Sequence, residues 1–239
     1  MKKTFSSLKL IFLLSITSCL DPVVPPLAPG VPDSIIPTVV KAETLREIKA
    51  MFPEQLNVKE SFPALFEVNT EKRIILSKES EVYVTFVSEG ASYNNSFGYY
   101  TYNSNSIPTN PSQLNLQILF PTVDGYKLKQ GDMLQIGTSK FPAGTVIGFF
   151  LIIKGWEGES VNYSKDKIYA DIGLNEGGAQ QHILFKLSNF GDIILGFEDV
   201  LESVPGYHDF DYNDIIFTIT DNRNNKEVTT FNLDQVFKF

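Results

Sequence analysis

The sequence predicts an all-β fold, an antiparallel β-sandwich of jelly-roll-like character with one short N-terminal helix. Three observations predict it. From about Phe66 onward the apolar residues follow a two-residue period, as half-buried strands do. Turn signals separate these segments: Asp124-Gly125, Gly131-Asp132, Gly155 with Gly158, Gly177-Gly178 and Asn222 to Asn225. A helical period is confined to residues 42–52, and many strands with few helices pack as sheet on sheet. The 19 Phe and 10 Tyr supply a core for one domain of about 150 residues.

The chain starts with a targeting signal. Lys2 and Lys3 form a positive end, and Leu8 to Ile16 is an apolar core broken by Lys9 and Ser15. That run is too short for a hydrocarbon layer of about 30 Å and reads as a removable signal, residues 1–18. Ile16-Thr17-Ser18-Cys19 resembles the lipobox of bacterial lipoproteins. The resemblance implies that Cys19 becomes the acylated first residue and ties the chain to a membrane. Cys19 is the single cysteine, so it has no intramolecular disulfide partner. Losing residues 1–18 removes three lysines and no acid, which moves the formal charge from −8 to −11. So acidic a chain lacks the clustered Lys and Arg that nucleic-acid phosphates or anionic lipids require.

Residues 19–41 hold Pro22, Pro25, Pro26, Pro29, Pro32 and Pro37 and read as a semi-rigid tether. Residues 42–65 read as a short helix and linker. Thr44-Leu45-Arg46-Glu47 is a capping-box pattern, Leu45, Ile48 and Phe52 share a face, and Pro53 stops the helix. Such a helix needs a surface to pack on, either the β-domain or another protein.

Residues 66–239 read as the β-domain. Val82, Val84 and Phe86 alternate on one face of the 81–87 strand, and Leu114, Leu116, Ile118 and Phe120 alternate in a second. Residues 145–154 are nearly all apolar, the mark of a strand buried on both faces. Strands follow at 182–187, 193–197 and 215–220, with a last one at 227–232. Residues 88–112, rich in Ser, Asn, Tyr and Pro, read as a long loop or hairpin excursion.

The chemistry concentrates between residues 198 and 214. Glu198, Asp199, Glu202, Asp209, Asp211 and Asp214 lie there with no Lys or Arg. Crowded carboxylates repel unless a cation joins them. Hard oxygen donors suit Ca²⁺, which takes roughly six to eight of them. Asp209, Asp211 and Asn213 occupy alternate positions, so an extended chain points them one way and sends Phe210 and Tyr212 inward. The D-x-D-x-N opening is shared with EF-hand loops, but the sixth position is Asp214 rather than Gly and the twelfth is Thr220 rather than Glu. The missing ligands come from elsewhere, with Glu198 and Asp199 nearest, and Gly196 and Gly206 permit close backbone approach. The expected Ca²⁺ ligands are therefore Glu198, Asp199, Asp209, Asp211, Asn213 and Asp214.

Several segments together resemble one family: residues 148–156, His182-Ile183-Leu184, Gly196-Phe197-Glu198-Asp199, and Asp209 through Phe217, with 91–100 similar to its upstream part. It is the uncharacterised domain family numbered 4114 among domains of unknown function, found in LruC-type bacterial surface lipoproteins and in adhesins. The resemblance covers roughly residues 80–221. It implies an all-β domain with calcium and no settled activity.

A second candidate surface is the Tyr/Asn stretch 92–105. Tyr93, Asn94, Asn95, Tyr99 and Tyr100 offer stacking area and adaptable hydrogen bonds to a glycan or peptide, and Trp156 is either a further binding aromatic or a plug at a strand end. His182 reads as a structural hydrogen-bonding residue. His208, beside Asp209, has no second histidine or cysteine at metal-binding spacing. No Gly-x-Ser-x-Gly elbow and no free cysteine nucleophile is present, and a carboxylate committed to Ca²⁺ makes a poor proton donor, so no catalytic residue is assigned. The expectation is a lipid-anchored protein of the bacterial outer membrane or cell surface, with a calcium-stabilised sandwich used for binding or adhesion. The alternatives are an envelope assembly protein whose 42–52 helix and an edge strand dock a partner, with calcium purely structural, and, less favoured, a carbohydrate-active enzyme.

Overall fold

The computed structural model describes residues 27–206 and 208–239, so Cys19 and the signal segment lie outside the described residues. The strands are β1 (Ile36–Pro37), β2 (Ile74–Leu76), β3 (Tyr83–Glu89), β4 (Asn95–Asn103), β5 (Gln117–Val123), β6 (Asp132–Gln135), β7 (Thr145–Ile152), β8 (Lys167–Tyr169), β9 (His182–Lys186), β10 (Ile193–Phe197), β11 (Ile215–Thr220), β12 (Phe231–Asn232) and β13 (Phe237–Lys238). Two helices precede β2: α1 (Ala42–Met51) and α2 (Val58–Ser61). The strands form two sheets. The first has the order β1-β6-β3-β11-β10-β9-β13 and the second β12-β2-β7-β4-β5, with β8 beside β7. Pairing is antiparallel except between β13 and β9.

The sheets face each other across an aromatic core. Val84, Phe86, Leu195, Phe197 and Phe217 of the first sheet, with Val82 just before β3, meet Phe97, Phe120, Phe149 and Leu151 of the second. Phe97 stacks on Phe217 at 4.1 Å and on Phe149 at 5.6 Å and meets Phe197 edge-on at 5.9 Å. Every residue of β7 is buried, as its continuous apolar run predicts.

The segment read as helix plus linker is part of the domain. Ile48 of α1 and Phe52 at its C-terminal cap, with Val58 and Leu65, cover Ile183, Phe185, Ile194 and Ile216 on the outer face of the first sheet. Thr44 is not the helix cap. Lys41 holds that position without a side-chain bond, while Thr44 is buried and its hydroxyl donates to Asp192, which also pairs with Lys41 at 2.9 Å. A tertiary partner has taken the threonine from its local role. The described part of the tether also packs: β1 pairs with β6, Val31 and Ile35 reach the core, and Gly30 presses so closely on the Trp156 indole that a Cβ would lie 2.9 Å from it.

Three strand expectations change. The 88–112 segment contains β4, nine residues hydrogen-bonded between β7 and β5, because its Ser, Asn and Gly are buried beside core aromatics. Leu114, Leu116 and Ile118 do not share a face with Phe120. Register shifts in the β4–β5 pairing turn the first three to the outer cluster around Tyr100 and Phe150 and leave Phe120 in the inner core. The strand expected at 227–232 shrinks to Phe231–Asn232, and a further short strand, Phe237–Lys238, follows it.

Candidate metal centre

Antiparallel pairing builds the centre. Phe197 of β10 is paired with Ile215 of β11, so residues 198–214 form one hairpin loop whose two ends must meet. Glu198 and Asp199 leave β10 where Asp214 enters β11, and the Asp199 amide donates to Asp214 Oδ2 at 2.7 Å. The loop folds back over β10. A Cβ on Gly196 would lie 2.4 Å from the Tyr212 carbonyl, so only glycine admits the crossing.

The returning arm is not extended. Phe210 and Tyr212 have φ of +57° and +55°, the left-handed region that bulky residues avoid. Each such residue costs about 1–3 kcal/mol and persists only when its surroundings hold it. They do so here. The Tyr212 amide donates to Glu198 Oε1 at 2.6 Å, its buried hydroxyl donates to the Gln180 carbonyl at 2.8 Å, and Val58 donates to the Phe210 carbonyl at 2.8 Å. The simple alternation expected for Asp209, Asp211 and Asn213 is thus replaced by a wound backbone.

That winding brings in a residue the sequence did not flag. The stretch joining α1 to α2 is stitched to the loop: the Gln55 amide donates to Asp211 Oδ2 at 2.9 Å, and Asn213 Nδ2 donates to the Phe52 carbonyl at 3.1 Å. Glu54 therefore lies beside Asp209 and Asp211, and one oxygen from each of the three falls within 4.8 Å of the others. Asn213 Oδ1 is close by, since it and Glu54 Oε1 lie 3.3 Å and 3.4 Å from the point where a Cβ on Gly90 would sit.

Electrostatics sharpen the picture. Burial pushes Glu198 up to about 7 against the lowering by the Tyr212 amide, with lesser repulsion from Asp209, Asp211 and Asp199. Burial also raises Asp199 and Asp211. Asp214 rises through burial and then through Asp199 and Glu198. Glu54 rises through burial and then through Asp211 and Asp209. Lys154 lowers Asp199, but its ammonium rests 3.8 Å from the Tyr93 ring centre, and Lys59 pairs with Glu202 on the rim at 2.6 Å. The residues fit a hard cation. All donors are oxygens, and one oxygen each from Glu54, Asp209 and Asp211 lies within 4.8 Å of the others, close enough for one ion to touch all three. Of the six residues expected from sequence, Asp209 and Asp211 converge with Glu54, and Asn213 borders them. Glu198 and Asp199, both buried, and the half-buried Asp214 form the floor of the same loop.

The Tyr/Asn stretch is not an open binding surface. Asn95 is fully buried; its Nδ2 donates to Asp199 Oδ2 at 2.7 Å and its Oδ1 accepts from the Lys154 amide at 3.0 Å, which ties β4 to the acidic loop. Tyr100 is fully buried, with its hydroxyl donating to Asp171 at 2.7 Å. Tyr99 is half-buried against Phe141. Trp156 is the strand-end plug, buried with its amide donating to the Asn94 carbonyl. Asn94 is exposed, and Tyr93 lies under Lys154. Both faces of β4 are covered, the inner one by the core around Phe97 and the outer one by the cluster around Tyr100, so most of this run serves packing. His182 is fully buried with Nε2 at 3.1 Å from the Lys72 carbonyl, and His208 stacks on Phe210 at 5.0 Å.

Residues 141–222 match the family model of a domain of unknown function, DUF4114. The matched segment runs from the approach to β7 to the end of β11. It includes the whole acidic loop and agrees with the resemblance read from the sequence, while Glu54 and Asn95 lie outside it. No curated protein and no solved structure matches the chain.

Proposed function

We propose that this chain is a lipid-anchored protein of the bacterial cell envelope, whose calcium-stapled β-sandwich binds a ligand or surface outside the membrane. The observation that carries the calcium reading is the convergence of Glu54, Asp209 and Asp211 from two separate loops onto one point above a floor of buried carboxylates. Ca²⁺ there supplies the missing positive charge, and Glu54, Asp209, Asp211 and Asn213 are the residues to hold it. The anchor reading rests on the sequence around Cys19. Among the described residues no helix is long and apolar enough to cross a membrane.

A binding role is favoured over a catalytic one. Glu198, held near neutrality, has the proton affinity of a general acid. It is, however, only 3 % exposed and its Oε1 takes the Tyr212 amide, which leaves it turned away from any substrate. The envelope-assembly alternative is left with an edge strand as its docking element, because the apolar face of α1 packs on the sheet.

Isothermal titration of the EDTA-stripped protein with CaCl₂ tests the metal reading. Saturable binding, at least tenfold weaker in Glu54→Gln, supports it, and a flat isotherm refutes it. Metabolic labelling with a fatty-acid analogue tests the anchor: label in the native chain and none in Cys19→Ala is the expected result.

A further inference from the structure

The outer wall of the acidic loop faces a groove of about 720 Å³ that none of the readings above uses. Its walls are α2 with the Pro63–Phe66 turn that follows it, the 176–178 turn and the loop itself, represented by Lys59, Phe66, Glu176, Gly178, Glu202 and Ser203. Phe66 is half-buried; its ring meets Tyr212 at 5.3 Å, with Lys59 Nζ 6.0 Å from its centre. Glu202 and Ser203 are exposed, and Ser203 Oγ reaches across to Glu176 Oε2 at 3.2 Å. At Gly177 and Gly178 nothing lies within 4 Å of where a Cβ would be, so the backbone there is open.

We infer that this groove binds an uncharged oligosaccharide, seated on Phe66 and hydrogen-bonded by Glu176, Glu202, Ser203 and Lys59. The chemistry on each wall points to that class. An aromatic ring offers its face to the apolar side of a pyranose, and the ring of carboxylates, hydroxyl and ammonium pairs with hydroxyl groups that both donate and accept. A polyanionic chain is disfavoured by the net charge of −8 and by the carboxylates of the groove. A peptide would be read by an open strand edge or by deep apolar pockets. The groove walls are instead a short helix, a turn and a loop. This inference rests on the binding reading proposed above, and it ties ligand affinity to the metal, since Glu202 and Ser203 belong to the loop the ion would hold.

The test is a titration of the full chain, in calcium, with β-1,4-linked hexamers of glucose, mannose and N-acetylglucosamine, read by calorimetry. At least one hexamer binds saturably, and both Phe66→Ala and Ser203→Trp weaken it about tenfold or more. Ser203 is exposed, so Ser203→Trp fills the groove without entering the core and keeps its thermal midpoint even if Phe66→Ala folds poorly. Three outcomes overturn the inference: no saturable binding of any hexamer, binding indifferent to both variants, or binding of a Lys-rich peptide and of no sugar. Calcium binding measured alone separates the two readings. Sugar binding without calcium binding refutes the metal, and calcium binding without sugar binding refutes the groove.

Discussion

Glu71 and Asp171, on the outer face of the second sheet, are held by Arg73, whereas the carboxylates of the 198–214 loop receive no guanidinium hydrogen bond among the described residues. Arg73 gives Nε to Glu71 at 2.6 Å and Nη1 to Asp171 at 2.8 Å and to the Tyr102 hydroxyl at 2.6 Å. Tyr100 completes the set by donating to the other Asp171 oxygen. Both groups bury acids to a similar degree: Glu71 and Asp171 are 7 % and 8 % exposed, Glu198 and Asp199 3 % and 4 %. The fold therefore supplies an internal cation where it needs one permanently. The loop lacks that device, and its charge deficit is the physical reason to place an exchangeable cation there.

The largest expected effect breaks the self-sufficient group. Arg73→Ala leaves Glu71 and Asp171 buried without their cation and should cost about 3–5 kcal/mol in chemical denaturation, equally in EDTA and in calcium. The exchangeable group responds in the opposite way. Glu54→Gln should forfeit up to about 2.7 kcal/mol of stabilisation in a hundredfold excess of calcium over Kd and leave the EDTA value nearly unchanged. An equal loss in both conditions would make Glu54 a structural acid.

Acidity offers a gentler contrast. Glu198 is raised by burial first and Asp214 by burial and by Asp199 and Glu198, so the metal-free folded state holds more protons than the unfolded chain. The contribution from Glu198 is fully present below its unfolded value of 4.5 and is lost as pH rises through about 7. Each extra bound proton gives a slope of about 1.4 kcal/mol per pH unit. His182, lowered to about 4 by complete burial, acts the other way, its contribution present above 6.5 and lost as pH falls toward 4. Lys72, lowered to about 8 chiefly by burial, makes stability rise again only above that pH. From pH 6.5 to about 7.5 the carboxylates thus set the sign, and stability in EDTA should fall with rising pH while the calcium-bound curve stays flatter. Denaturant midpoints across that interval check it. Smallest of all is Lys59→Ala, which removes a rim ion pair with Glu202 and should cost less than about 1 kcal/mol.

Legibility in the sequence followed the same divide. The acidic loop is contiguous, so its charge deficit and the flanking strands at 193–197 and 215–220 are readable from neighbouring residues. The Arg73 group joins residues 71, 73, 100, 102 and 171, and no local pattern connects them. Glu54 was equally silent, an acid after a helix-stopping proline, brought to Asp211 only by the Gln55 and Asn213 bonds. β4 reads as a loop because Asn, Ser and Gly signal turns in isolation, whereas Asn95 and Ser96 are buried and bonded to Asp199 and to the Pro121 carbonyl. Thr44 shows the converse error, a valid local cap overridden by Asp192.

The most direct measurement is thermal unfolding of the protein in EDTA, then across matched titrations of calcium and magnesium. The midpoint should rise with calcium, following RT ln(1 + [L]/Kd), and magnesium should not reproduce the rise, because Mg²⁺ demands a tighter octahedral shell and sheds water reluctantly. A midpoint indifferent to calcium, with elemental analysis showing no retained metal, would contradict the calcium reading.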